Sequence, residues 1–446
     1  MKFYDREQEM DTLHQAAAQP GAAMIILSGR RRVGKSRLVD EFLKKEAGTK
    51  IMIVPKEEKQ VAADFGPVLS DAYTPAFNTV KEALEYFFLK ASQRILHIDE
   101  FPNVLDVNPA IPYELQRLWD THKDHTNKIL ILSGSYTRMM DQIFTRQKAP
   151  LFNRATFNIV LQPLTPSIIW EMQNEAGILG PEQQITNHCL FGGIPHYYEV
   201  IEKYGQTDHA EKLFFGVGPL REEGQNLLRQ EFGAAYKKYF SILEAISAGY
   251  VSSGEIANQL GIRQTTLSKY MQTLQNDFKL IERSVPFGQN PAKSKKGTYK
   301  IRDNLLSFWF THVYGKTQSP QPDALNAFVG KRFENLCMDV FTGWLEKKNQ
   351  TVLKRGRWTG TIETGKGQFE QREIDLVIET SQATYVGECK WTDREVGEKE
   401  LRHLEQSAQG LHFKKPVTWV LFTKKKTRLT EGPNLLLFDA HRLTHL

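Results

Sequence analysis

The residues Gly29-Arg30-Arg31-Arg32-Val33-Gly34-Lys35-Ser36 fit the spacing G-x-x-x-x-G-K-[ST]. That spacing suits chemistry on a polyphosphate. Two glycines let backbone N–H groups wrap an anion, and a helix that starts beside the second adds its positive dipole end. A lysine there reaches the β- and γ-phosphates, and the hydroxyl that follows ligates Mg²⁺. Lys35 and Ser36 occupy these positions; Gly29, Arg32, Val33, Gly34 and Arg37 complete the candidate nucleotide-binding set. The pattern leaves open whether Arg30 to Arg32 touch phosphates or point into solvent.

A second group lies further on. Arg94-Ile95-Leu96-His97-Ile98-Asp99-Glu100 is an apolar run that ends in two carboxylates. Asp99 is placed to hold Mg²⁺ through its coordinated waters, and Glu100 to polarise an attacking water as general base. A strand end with solvated acids is the plain alternative. Ile129-Leu130-Ile131-Leu132-Ser133-Gly134-Ser135 reads as a neighbouring strand. From it Ser133 or Ser135 senses the γ-phosphate or orients the water, unless the segment is a simple strand exit. Arg154 is a candidate charge stabiliser for the γ-phosphate, acting as an arginine finger does; a solvated arginine is the competing reading.

A third constellation sits far downstream. Arg372-Glu373-Ile374-Asp375-Leu376-Val377-Ile378 alternates like a strand, and Tyr385-Val386-Gly387-Glu388-Cys389-Lys390-Trp391 follows after a short turn. On a hairpin, Asp375 and Glu388 lie side by side, and Glu388 and Lys390 share a face because side chains alternate with period two. Two close carboxylates make an oxygen-ligand site for Mg²⁺ or Mn²⁺. A lysine beside them stabilises a phosphate anion or positions water, and the set suits metal-assisted phosphodiester hydrolysis. Glu334 is a candidate third ligand. It falls in the apolar arc of a helix expected over Arg332–Glu346, where a lone carboxylate is costly. A salt bridge to Arg372 or an outward-turned side chain would equally explain it.

These groups need scaffolds. The first 165 residues alternate β-rich runs with helical patterns, as a parallel sheet covered by helices does. Strands are expected at Met24–Ser28, Ile51–Val54, Arg94–Ile98, Lys128–Leu132 and Thr156–Leu161, and helices at Lys35–Lys45 and Val80–Gln93. Residues 165–235 read as helical, broken at Gly192-Gly193-Ile194-Pro195. Residues 236–315 give helices at Tyr239–Ser247, Ser253–Leu260 and Gln264–Gln275, then strands at Leu280–Ser284 and Thr298–Ile301. Three helices followed by a two-stranded wing form a winged-helix pattern. Gln264, Thr265, Ser268 and Lys269 of its third helix, with Lys293, Lys295 and Lys296 of the wing, are candidate DNA contacts. Residues 316–327 read as a linker.

At 446 residues, with 40% hydrophobic and 25% charged residues, the balance is that of a soluble protein of several domains. No apolar run approaches the roughly 20 residues of a membrane span, and the opening lacks a signal-peptide core, so no membrane partner and a cytoplasmic location are expected. Three scattered cysteines suggest neither disulfides nor zinc. Residues 1–250 hold 28 Lys and Arg against 31 Asp and Glu, whereas residues 251–446 hold 30 against 21. A basic C-terminal part is what a DNA partner attracts, although a solvated surface can be basic too. A protein partner or an oligomer stays open.

The residues also resemble a family. Phe3-Tyr4-Asp5-Arg6-Glu7-x-Glu9, the arginine-rich loop at Gly29, His97-Ile98-Asp99-Glu100-Phe101, Leu132-Ser133-Gly134-Ser135, Pro150-Leu151-Phe152-Asn153-Arg154 and Gly192-Gly193-Ile194-Pro195-His196-Tyr197 resemble the archaeal-type ATPases of the signal-transducing branch of AAA+-related P-loop proteins. Tyr299-x-Ile301-x-Asp303 with Phe308-Trp309 matches the exit from that family's winged helix. The resemblance implies a multidomain α/β chain. It would hold a P-loop ATPase domain over 1–164, a helical lid over 165–235, a winged helix over 236–315, and a restriction-endonuclease-like PD-(D/E)xK domain over 328–446. It implies ATP as nucleotide, hydrolysis as a switch, and nuclease roles for Asp375, Glu388, Lys390 and Glu334.

Overall fold

The computed structural model describes residues 2–135, 140–204, 209–294, 296–365 and 367–446. Lys295, one of the expected wing contacts, lies outside the described residues. The chain divides into two compact units. The first runs to Leu164 and includes Ile194–His196; the second holds Thr165–Gly193 and Tyr197–Leu446.

The first unit is built on five strands, β1 (Ala23–Gly29), β2 (Gly48–Met52), β3 (Ile95–Asp99), β4 (Ile129–Ser135) and β5 (Phe157–Leu161), in the order β2-β3-β4-β1-β5. All pairings are parallel. β1, β3 and β4 are buried along their whole length, which is why they read as unbroken apolar runs. Phe65, Leu84, Phe87, Leu115 and Trp119 close one face in a single core cluster. Thr79 fixes the start of the helix Val80–Leu89 by accepting from the Glu82 amide. The order matters for chemistry. Gly29, where the loop leaves β1, lies opposite Ser135 at the end of β4, and β4 also flanks β3, which ends at Asp99. Gly134 permits this crowding, because a Cβ there would sit 2.7 Å from Pro102 and 2.9 Å from the Met140 sulfur.

The second unit begins with helices Pro166–Glu175 and Pro181–Phe191. Helices Tyr236–Ser247, Ser253–Gln259 and Gln264–Gln272 precede an antiparallel pair, β6 (Ile281–Ser284) and β7 (Thr298–Ile301). Ser252 and Glu255 close a capping box on the second of these helices. The stretch expected to be a linker is partly helix. A 26-residue helix runs from Pro322 to Lys347, ten residues longer at its start than the apolar stripe suggested. Pro322 stands in the helix's first turn, where its missing N–H costs nothing, and Phe328 packs edge-on to Phe308 at 5.3 Å. Arg332 of this helix is buried and donates to the carbonyls of Ile301 (3.0 Å) and Arg302 (3.1 Å) at the end of β7.

A mixed sheet follows: β8 (Val352–Gly365), β9 (Gln368–Thr380), β10 (Thr384–Lys390), β11 (Val417–Thr423) and β12 (Leu435–Asp439), in the order β12-β11-β10-β9-β8. β8, β9 and β10 pair antiparallel; β10, β11 and β12 pair parallel, with the helix Glu398–Ser407 in the crossover from β10 to β11. Phe341 of the long helix meets Tyr385, Phe422 and Phe438. Val386, Leu421 and Leu404 fill another cluster, so neighbouring residues of one strand serve different cores. Among the described residues, no helix is long and apolar enough to cross a membrane.

Candidate nucleotide site and candidate metal centre

Gly34 takes φ 101° and Arg32 φ 65°, and the helix Lys35–Leu43 starts immediately after them. Left-handed residues before a helix turn backbone amides toward one point, which is how a chain builds an anion cradle. Lys35 is buried, with its Nζ donating to the carbonyls of Gly29 (3.0 Å) and Arg30 (3.2 Å) and lying 3.5 Å from Ser135 Oγ. The Ser36 hydroxyl donates to Asp99 Oδ2 at 2.6 Å. Ser133 Oγ donates to Asp99 Oδ1 at 2.6 Å, and the Glu100 amide donates to the same oxygen at 3.0 Å. Burial alone would raise the Asp99 carboxyl. Hydrogen bonds from Ser133, Ser36 and Glu100, with His97 nearby, outweigh it and hold Asp99 below its ordinary value.

Ser133 is thus engaged with the carboxylate, and Ser135 is the serine that faces Lys35. Glu100 takes φ 48°, an unusual conformation for a non-glycine residue and one that clusters at functional sites. An Mg²⁺ ion suits this donor set: a hydroxyl and a carboxylate, both hard oxygens, meet at the start of the helix.

Three residues join the site that the motif left without a role there. His97, fully buried two positions before Asp99, contacts Ser133 Oγ through Nε2 at 2.7 Å. Burial pushes its imidazole down to about 4. Arg6 is buried and donates to the carbonyls of Gln162 (2.8 Å) and Val33 (3.5 Å), tying the opening segment to the loop. His196 follows Pro195, whose Cγ stands 4.0 Å from where a Cβ on Gly34 would be. Burial and the neighbouring charge of Arg32 push His196 down to about 4. The Gly192-Gly193 break was the visible signal for this return of the chain.

Arg154 is not brought to the loop. It forms a forked pair with Asp120 (2.8 to 3.1 Å) and donates to the carbonyls of Pro150 and Phe152. The reason is topological. β5 runs parallel to β1, and the Thr156 amide donates to the Met24 carbonyl near the beginning of β1. The loop leaves the other end of β1, roughly 15–20 Å away at 3.3 Å per residue. The Arg154 guanidinium is thus engaged by Asp120.

In the second unit, Gly387 pairs with Leu376, so Glu388 and Asp375 follow on adjacent strands. Asp375 Oδ2 accepts from the Cys389 amide at 2.9 Å. Lys390 pairs with Glu388. Glu334 comes to the same place but pairs with Arg357 at 2.5 Å; Arg372, the expected partner, instead binds Glu370. Arg357 and Lys300 both donate to Asn335 Oδ1 at 2.8 Å. Burial pushes Glu388 up to about 7, with Asp375 adding to the effect and Lys390 opposing it. Burial likewise pushes Glu334 up to about 7, against the attraction of Arg357 and with help from Asp375 and Glu388. The acids therefore feel one another. Yet among the described residues no group of three or more His, Cys, Asp or Glu side chains is placed to hold a metal ion. Lys390 and Arg357 stand where a cation would.

The comparisons fall on the same two regions. The family of ATPase domains found predominantly in Archaea matches residues 3–197. A family of archaeal and bacterial proteins of unknown function matches residues 312–404. An uncharacterized protein of Methanocaldococcus jannaschii is 30% identical over 98% of this chain and 99% of its own length. Among solved structures, the Walker-type ATPase of Pyrococcus abyssi is similar at a TM-score of 0.48 and 19% identity, over 69% of this chain and 96% of that one. The ORC2 protein of Aeropyrum pernix is similar at 0.45 and 13%, over 74% and 95%.

Proposed function

The chain belongs to the family of that Methanocaldococcus jannaschii protein and carries the archaeal-type ATPase domain, and from that premise we propose that it binds ATP with Mg²⁺ at Gly29–Ser36 and hydrolyses it. One observation carries the reading: the Ser36 hydroxyl and the Asp99 carboxylate meet at 2.6 Å beside a loop that holds the Lys35 ammonium at its mouth. The backbone amides of Gly29 to Lys35 bind the phosphates, and Lys35 turns from its two carbonyls to the β- and γ-oxygens. Ser36 and Asp99 would hold Mg²⁺, which neutralises phosphate charge. Glu100 takes the proton of the attacking water. The test is phosphate release from ATP and GTP, with Mg²⁺ and with EDTA. Mg²⁺-dependent release from ATP is expected; its absence for every nucleotide sinks the reading. Arg154→Ala should leave turnover within about threefold and cost about 0.2–1 kcal/mol, as a partly exposed ion pair does. Phosphate release and thermal unfolding measure the two effects.

A finer reading concerns the second unit. Residues 165–235 serve as a lid, 236–315 as a winged helix, and 328–446 as a PD-(D/E)xK-like domain that cuts DNA at Asp375, Glu388 and Lys390. Its support is that Glu334 and Glu388 are held near 7 by burial in one shared acidic site. A divalent ion would have to displace Lys390 and Arg357 from their carboxylates. Gln264, Thr265, Ser268, Lys269, Lys293 and Lys296 are exposed for contact with DNA. Plasmid and linear DNA incubated with Mg²⁺ or Mn²⁺, with and without ATP, decide the matter. Cleavage should vanish in Glu388→Ala and Lys390→Ala; cleavage that survives both comes from elsewhere. Salt-dependent DNA binding without cleavage would leave a DNA-binding, ATP-driven switch.

A further inference from the structure

We propose that His97 is a positioning residue of the nucleotide site, holding the Ser133 hydroxyl so that Asp99 keeps the orientation in which it meets Ser36 and the metal. This rests on the reading of the loop as an ATP–Mg²⁺ site. Proton bookkeeping fixes the direction of each bond. An ionised carboxylate only accepts, so the Ser133 proton goes to Asp99 Oδ1 at 2.6 Å. Ser133 has no second proton. The 2.7 Å contact with His97 Nε2 is therefore donated by the imidazole. His97 therefore carries a hydrogen on Nε2, and a chain runs His97 to Ser133 to Asp99, with Ser36 donating to the other carboxylate oxygen. Without a donor at His97, the Ser133 hydroxyl can rotate away from Asp99.

The other ring nitrogen argues against a packing role. His97 Nδ1 is buried and has no hydrogen-bond partner among the described residues. A buried polar atom left unpaired disfavours the fold. A leucine would fill the space between β2 and β4 without that cost, so packing does not explain the imidazole, whereas the donor at Nε2 does.

The test compares His97→Leu, which removes the donor, with His97→Gln, which keeps an N–H at similar reach. A fluorescent ATP analogue is titrated in EDTA and at graded Mg²⁺, turnover is followed by phosphate release, and thermal unfolding checks the fold. In His97→Leu the Mg²⁺ needed for half-maximal tightening should rise about 10- to 100-fold, the range for lost outer-shell partners of a metal. Its affinity in EDTA and its unfolding midpoint should not fall, and His97→Gln should return the Mg²⁺ dependence to within about threefold. The proposal is overturned if His97→Leu keeps the wild-type Mg²⁺ dependence, if both variants lose affinity equally in EDTA, or if Mg²⁺ does not tighten binding to the wild-type chain. A wild-type chain that binds with Mg²⁺ but releases no phosphate refutes hydrolysis alone, and the titration still reads His97.

Discussion

Glu100→Gln is expected to bind ATP with Mg²⁺ as the wild-type chain does and to turn it over about 10²- to 10⁴-fold more slowly. General-base assistance supplies a factor of that size, and the amide keeps the shape while losing the basicity. The change leaves the amide hydrogen bond from Glu100 to Asp99 in place, because it is made by the backbone. It also leaves the strained φ of 48° untouched. Lys35→Ala should do the opposite and remove binding itself, since it takes away an ammonium that two carbonyls hold at the mouth of the loop. Equilibrium binding of a labelled nucleotide and phosphate release separate the two. Unchanged turnover in Glu100→Gln would refute its role as base.

The second large effect is on stability and pH. In an unfolded chain Glu334 and Glu388 ionise near their ordinary value of 4.5; in the folded chain both are pushed up to about 7. Between those values the folded chain binds protons that the unfolded chain has released, so stability falls as pH rises through the window, and the loss is complete above 7. Its size is on the order of a few kcal/mol. His97, His188 and His196 work in the opposite sense. Burial pushes each of them from 6.5 to about 4, so they favour the fold increasingly as pH rises over that range. The acids are therefore best read by comparing wild type with Glu388→Gln from pH 6.5 to 8, because the histidines contribute equally to both chains and cancel. Over that range the wild-type unfolding midpoint should drop by more than that of Glu388→Gln. On the proposed reading of these acids as metal ligands, Mn²⁺ should restore it at pH 8 and do little at pH 5.5, where the carboxyls keep their protons. Parallel curves for the two chains would show that Glu388 does not titrate near 7.

The nucleotide site was legible because its chemistry is local. Gly29 to Ser36 is one turn, and buried parallel strands announce themselves as apolar runs. What pairs across strands was not legible. His97 looked like one polar residue in an apolar strand; only the β3–β4 register sets it beside Ser133. Arg154 was placed by its motif, which gives order along the chain and not which end of a strand a residue lies beside. Strand alternation found Asp375, Glu388 and Lys390, and helical spacing found Glu334, but neither could name Arg357 as the partner of Glu334. Arg357 lies on β8, beyond the hairpin that carried the pattern.

Arg332 sets a limit on how freely the last sheet can be moved as a unit. Its buried guanidinium donates through its two terminal nitrogens to the carbonyls of Ile301 and Arg302, at the end of β7 and about thirty positions earlier. Chain severed at residue 328 would strand that charge. A graft of residues 328–446 onto another protein must therefore bring Ile301 and Arg302 with it: the cassette is longer than its own sheet.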